Sequence, residues 1–177
     1  MYLYQTGFIK KRVGMMNKDF KQFSIDLGER ESAGNYNISN KFHFLGRWQL
    51  GKMRMYDLGY SLDGYCPKGG ELKAPLTTPQ FLMNSQLQDK LFIRHITDLR
   101  DHIVKHHSDV LGTVISDCRL SISGLVAGSH LLGSGGIDKF IRTGIIEVDG
   151  MGTKVSEYIN KFTDYDLFTN LVIGPVI

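Results

Sequence analysis

Apolar residues Phe20, Phe23 and Leu27 recur at spacings of three and four, the period of one helix face. Asn17 reads as the N-cap of this helix, which runs to about Glu31. Glu31 is the next step along the same stripe, so a carboxylate closes an apolar face at a helix C-terminus. Burial and the negative end of the helix dipole both disfavour its charged form, as a general acid near neutral pH requires. Ser32, Ala33, Gly34 and Asn35 then end the helix and open a cleft beside it. Residues 35–51, rich in Gly, Asn and aromatics, read as a loop with short strands, and 52–58 as a short helix. A Gly/Pro-punctuated loop follows over 59–75.

Thr78 followed by Pro79 marks a helix start, with proline in the first turn. Phe92, Ile96, Leu99 and Ile103 continue at helical spacing toward His106, in one helix or in two. Another helix opens at Ser121 or Ser123 and runs to about Leu132, where Gly133, Gly135 and Gly136 interrupt it. Short helices follow over 137–142 and 153–163. Helix dominates and no internal repeat is visible, which predicts a mainly α single domain with a small β element. Residues 1–16 read as an N-terminal arm and 17–177 as the domain.

Composition narrows the partners. The 177 residues suffice for one domain with a real core, and 22% charged residues is an ordinary balance. A net charge of +3 implies mild attraction to polyanions. No basic run is interleaved with aromatics, which disfavours nucleic acid. No stretch of about 18 apolar residues predicts a membrane span. The start carries Lys10, Lys11 and Arg12 with no apolar core after them, so it does not read as a secretory signal. Cys66 and Cys118 do not make a disulfide framework.

Four motifs then line up in order: Glu31-Ser32 at a helix end; Gly46-Arg47-Trp48-Gln49 one loop later; the run from Gly128 through Ser129, His130, Leu131 and Leu132 to Gly133, Ser134, Gly135, Gly136 and Ile137; and Tyr158-Ile159 in the last helix. This order resembles the lysozyme-like superfamily of lytic transglycosylases and goose-type lysozymes, particularly its phage-endolysin and effector branch, over roughly residues 17–163. The resemblance implies a lysozyme-like domain with its small β element beside an active-site cleft. It implies cleavage of the bond between N-acetylmuramic acid and N-acetylglucosamine in peptidoglycan, with Glu31 as general acid/base and no metal or cofactor. Gln49 would bond sugar amides or hydroxyls, and Tyr158 would direct its hydroxyl at Glu31 or at the sugar. Gly133, Gly135 and Gly136 would let backbone approach the glycan. Ser32, Trp48 and His130 complete the candidate substrate contacts.

The pattern departs from the family at His130, where a Tyr is usual, and at Leu131, where an Asn is usual. Asp57 and Asp63 are the candidate second carboxylates. A base there would make the enzyme an inverting hydrolase, and without one the muramic acid 6-hydroxyl attacks to give a 1,6-anhydro product. Trp48 is either a core anchor or a sugar-stacking ring. His95, His102, His106 and His107 read as a solvated basic face, although His102 and His106, four apart, suit zinc. Lys52 and Arg54 are candidates to hold anionic wall polymer. The rivals are a glycan-binding module that has lost catalysis, a glycosidase of chitin type, and a structural or toxin-delivery protein whose motifs coincide with the family's. A monomer is expected. So is synthesis in the cytoplasm with action on the wall after release or secretion, with an immunity or inhibitor protein as a partner of an effector.

Overall fold

The computed structural model of this chain describes residues 18–175. The expected arm, its basic trio and Asn17 lie outside them. Helix α1 (Phe20–Ser32) is capped instead by Asp19, whose carboxylate accepts the Gln22 N–H at 2.9 Å. Phe20, Phe23 and Leu27 are fully buried, as the stripe predicts. The helix ends where Ala33 turns left-handed (φ 51°), and the N–H groups of Ala33 and Gly34 return to the carbonyls of Glu29 and Gly28.

Helix α2 (Lys52–Asp57) follows the aromatic loop. The 59–75 segment was expected to be all loop, but its ends pair as a parallel ribbon, β1 (Tyr60–Leu62) with β2 (Ala74–Leu76). The Thr78-Pro79 start is observed in α3 (Thr78–Leu82), with Thr77 and Gln80 forming a capping box. Asn84 then accepts the Leu87 N–H and begins a new helix, α4 (Ser85–His107), so the two-helix alternative is the one found. Phe92, Ile96, Leu99 and Ile103 form its buried face. A two-residue hairpin, β3 (Val114–Ile115) with β4 (Cys118–Arg119), leads into α5 (Ile122–Thr143) and then α6 (Val155–Lys161).

Together the described residues make a mainly helical single domain with two small sheets. Helix α5 packs against both α4 and α6. The glycine interruption expected after Leu132 is found at Gly133, where α5 breaks into two helical segments joined at a kink. Gly133 there takes φ 75° and ψ 166°, a backbone open only to glycine at low cost. Cys66 is exposed, Cys118 is buried, and both are free thiols. No helix among the described residues is long and apolar enough to cross a membrane.

Candidate active site

The loop from 33 to 51 is built on one buried amide. Gln88 Oε1 accepts the Arg47 N–H at 3.0 Å, while its Nε2 donates to the carbonyls of Tyr36, Phe81 and Leu82. Gly46 lies so close to Gln88 that a Cβ would stand 2.0 Å from Oε1, and its φ is +72°. The next two side chains turn inward. Arg47 is fully buried, with its guanidinium on Tyr36 Oη and the Gly174 carbonyl. Trp48 is fully buried and stacks on Phe92, centroids 3.7 Å apart and planes 9° from parallel. Gln49, at φ +44°, then points the other way. Its Nε2 donates to the Gly46 carbonyl at 2.8 Å.

A groove runs past Gln49 as adjoining hollows. The first, about 330 Å³, runs from α2 across to α4 and the kink of α5 and is lined in part by Arg54, Asp57, His95 and Gly133. The second, about 190 Å³, holds Glu31, Ile38, Asn40, Asp149 and Met151. Phe44, Gln49, His130 and Leu131 line both, so they form the saddle between the two. A third hollow, about 340 Å³, continues along Phe42, Phe44, Leu132 and Met151. None of β1–β4 lines these hollows; beside the groove the β structure among the described residues is limited to isolated bridges, Ser39 with Leu45 and Leu45 with Leu50, of which Leu50 lines the first hollow.

Glu31 sits on the wall of the second hollow with only 12% of its side chain exposed. Its Oε1 accepts the Tyr158 hydroxyl at 2.5 Å. Burial, and then the neighbouring carboxylate, push the Tyr158 phenol well above its ordinary range, so it stays a donor. Arg30 lies over the Tyr158 ring and pairs with Glu157. His130 Nε2 stands 3.7 Å from the same Oε1. Behind it a file of polar groups crosses the core: His130 Nδ1 is 2.9 Å from His95 Nε2, Arg54 Nε donates to His95 Nδ1 at 2.8 Å, and Arg54 pairs with Asp98 at 2.7 Å. Burial lowers the pKa of His95 strongly and that of His130 as well, with Glu31 pulling His130 the other way.

Of the residues singled out in the sequence, Glu31, Gln49, Arg54, Asp57, His130, Leu131 and Gly133 line the groove, and Tyr158 stands directly behind Glu31. Others do not reach it. Trp48 is a core residue, because its ring is buried, stacked on Phe92 with the Arg47 guanidinium also over it, and its indole N–H is spent on Asp89 at 3.3 Å. Ser32 is buried and turns its hydroxyl to the carbonyls of Arg47 and Gly28. Gly135 lies past the kink and lines none of the three hollows. Asp63 is tied to the Thr78 N–H and hydroxyl and to Lys52, which holds its carboxyl below the usual range and makes it a fold contact. Asp57, by contrast, does line the groove, but in the first hollow, which Glu31 does not line.

Sequence reasoning passed over Asp149, the other acidic side chain in the hollow of Glu31. It also passed over Phe42 and Phe44, which are 45% and 41% exposed on the groove. Asn40 accepts the N–H groups of Phe42 and Phe44, a turn that throws both rings outward. An Asn ahead of alternating aromatics was the available signal. The histidines do not form one solvated face. His95 is buried and bonded, whereas His106 is exposed. His102 and His107, rather than His102 and His106, converge on Asp138 Oδ1 at 2.8 and 2.7 Å. Among the described residues that trio, with donor atoms within 4.8 Å of one another, is the set able to ligate a cation.

Comparison with protein-family models, with curated proteins and with solved structures gave no match.

Proposed function

We propose that this chain is a muramidase of lysozyme-like fold that cleaves the glycan strands of bacterial peptidoglycan at the cell wall, with Glu31 as general acid. One observation carries the reading: a mostly buried carboxyl that lines an elongated groove together with a neutral amide, Gln49, and is held from behind by a phenol. Tyr158 and His130 both approach Oε1, and no hydrogen bond to Oε2 is found among the described residues. Oε2 is therefore the oxygen free to carry the proton to a glycosidic oxygen. Gln49 has already placed one amide hydrogen on Gly46, which leaves its Oε1 to accept from a sugar N–H or hydroxyl. Phe42, Phe44 and Met151 supply the apolar surface on which pyranose faces pack, the part first read into Trp48.

Proton donation from Glu31 to the leaving oxygen produces an oxocarbenium-like transition state. Tyr158 then stabilises the carboxylate that Glu31 becomes. Asp149 is the candidate to activate water in a hydrolase. Its Oδ1 is held by the N–H groups of Met151 and Thr153, which fixes the side chain and leaves Oδ2 for a water. Mass spectrometry of digested sacculi tests this directly. Reducing ends support hydrolysis, whereas anhydro ends remove Asp149 from the mechanism. Turnover of chitin oligomers but not of sacculi would replace the substrate. A second reading, glycan binding without cleavage, is favoured by Leu131, whose apolar side chain occupies the saddle of the groove. Sacculus binding with no soluble product would establish it.

A further inference from the structure

The file of groups behind Glu31 has a direction, and one end sets it. A guanidinium has no acceptor. The 2.8 Å contact from Arg54 Nε therefore makes His95 Nδ1 the acceptor, and the hydrogen of a neutral His95 must sit on Nε2. That hydrogen points at His130 Nδ1, 2.9 Å away, which must accept in turn. The hydrogen of His130 is then on Nε2, facing Glu31 Oε1. Protonating His130 would put N–H groups on both sides of the His95–His130 contact. His95 could answer only by moving its hydrogen to Nδ1, against the N–H of Arg54. Neither ring can become an imidazolium without losing a buried hydrogen bond.

We propose that Arg54 is a positioning residue that acts on Glu31 through His95 and His130, fixing both tautomers and keeping His130 a neutral N–H donor instead of the cationic half of an ion pair. This rests on the reading of Glu31 as the acid. A cation at 3.7 Å would favour the carboxylate and drain the proton that a general acid must deliver. A neutral N–H does less to the resting acid and still steadies the carboxylate left after proton transfer. Burial of both rings works in the same direction. Among the described residues, charged and titratable groups face His130 from several elements. Glu31 comes from α1, with Tyr158 of α6 on the same oxygen. His95 comes from α4, and behind it Arg54 of α2 is clamped by Asp98. Asp57 lines the first hollow and Asp149 the second.

Nitrogen-15 NMR of histidine-labelled protein at neutral pH reads the tautomers without reference to activity. The expected result is His95 and His130 both neutral, each protonated on Nε2. A hydrogen on Nδ1 of either ring, or a cationic His130, overturns the proposal. The functional arm uses Arg54→Gln, whose amide oxygen can accept from His95 Nδ1–H and so lets the file reverse. His130 then presents Glu31 with a bare lone pair or becomes an imidazolium, and the carboxylate favours the latter. The alkaline fall in activity on sacculi should move to lower pH by about one unit or more. Arg54→Lys, still a pure donor, should keep the wild-type pH profile. An alkaline limb that stays put in Arg54→Gln, or moves equally in both variants, rejects the mechanism. Tautomers as expected in a protein that releases nothing from sacculi would support the hydrogen-bond direction and sink only the muramidase reading.

Discussion

Two polar clusters sit on either side of Phe92, and they differ in how they end. On one side Trp48 stacks on the ring, and with Arg47, Tyr36 and Asp89 it forms a network whose bonds run to one another and to the carbonyls of Gly174 and Pro175, with Arg47 Nε buried and unpaired among the described residues. On the other side His130 meets the same ring edge-on, and its file of groups ends at Glu31 in a groove. Both clusters are buried, aromatic and charged. The first network bonds inward and holds the loop, whereas the second ends in a groove at a carboxyl with one oxygen that no described residue bonds. Burial and charge alone would not have separated them.

The sharpest way to break this contrast is Glu31→Gln. Activity on sacculi should fall by about 10²- to 10⁴-fold, with circular dichroism and melting temperature near wild type. Parental clearing rates would remove Glu31 from its role. The opposite signature is expected from Trp48→Ala, which should cost about 3–5 kcal/mol in urea unfolding by emptying the stack against Phe92. A smaller cost would mean that the loop is anchored mainly by Arg47 and Gln88. Tyr158→Phe should sharpen the open end: a drop of about tenfold in kcat with little change in KM, the worth of one hydrogen bond to the carboxyl proposed as the acid. Equal changes in both constants would move Tyr158 to substrate binding.

Asp63→Asn should have the smallest effect, about 1 kcal/mol of stability and no change in turnover per folded molecule. Its folded pKa is depressed, chiefly by the Thr78 hydroxyl. The contribution is thus present above the ordinary carboxylate pKa and is lost as pH falls through the depressed one. Wild type and variant should therefore converge in acid melts, and a difference that persists there would show a packing role.

Much of the helical layout was legible in the chain because a helix face repeats locally. The stripe of Phe20, Phe23 and Leu27, the Thr78-Pro79 start and the α4 face needed no partner to be seen. The parallel pairing of β1 with β2 was not visible, because strands of three residues carry too little period. Within the site, Glu31 was legible from its place at the end of an apolar stripe, and Gln49 and Tyr158 from motif order. Trp48 stayed open between core and groove because sequence cannot say which way consecutive loop side chains turn. That choice was made by Gln88 and by the approach forced at Gly46.

The sequence by itself therefore determined a mainly helical domain, its principal buried faces and a carboxylate at the end of α1, since all of these follow from spacing along one segment. Only the tertiary structure decided that Asp149 shares the hollow of Glu31, that Phe42 and Phe44 rather than Trp48 face the groove, and that Arg54, His95 and His130 stand in file behind Glu31. Those groups come from segments far apart in the chain, as Glu31 and Asp149 show. Nothing in local periodicity encodes which of their hydrogen-bonding atoms meet once α2, α4 and α5 pack together.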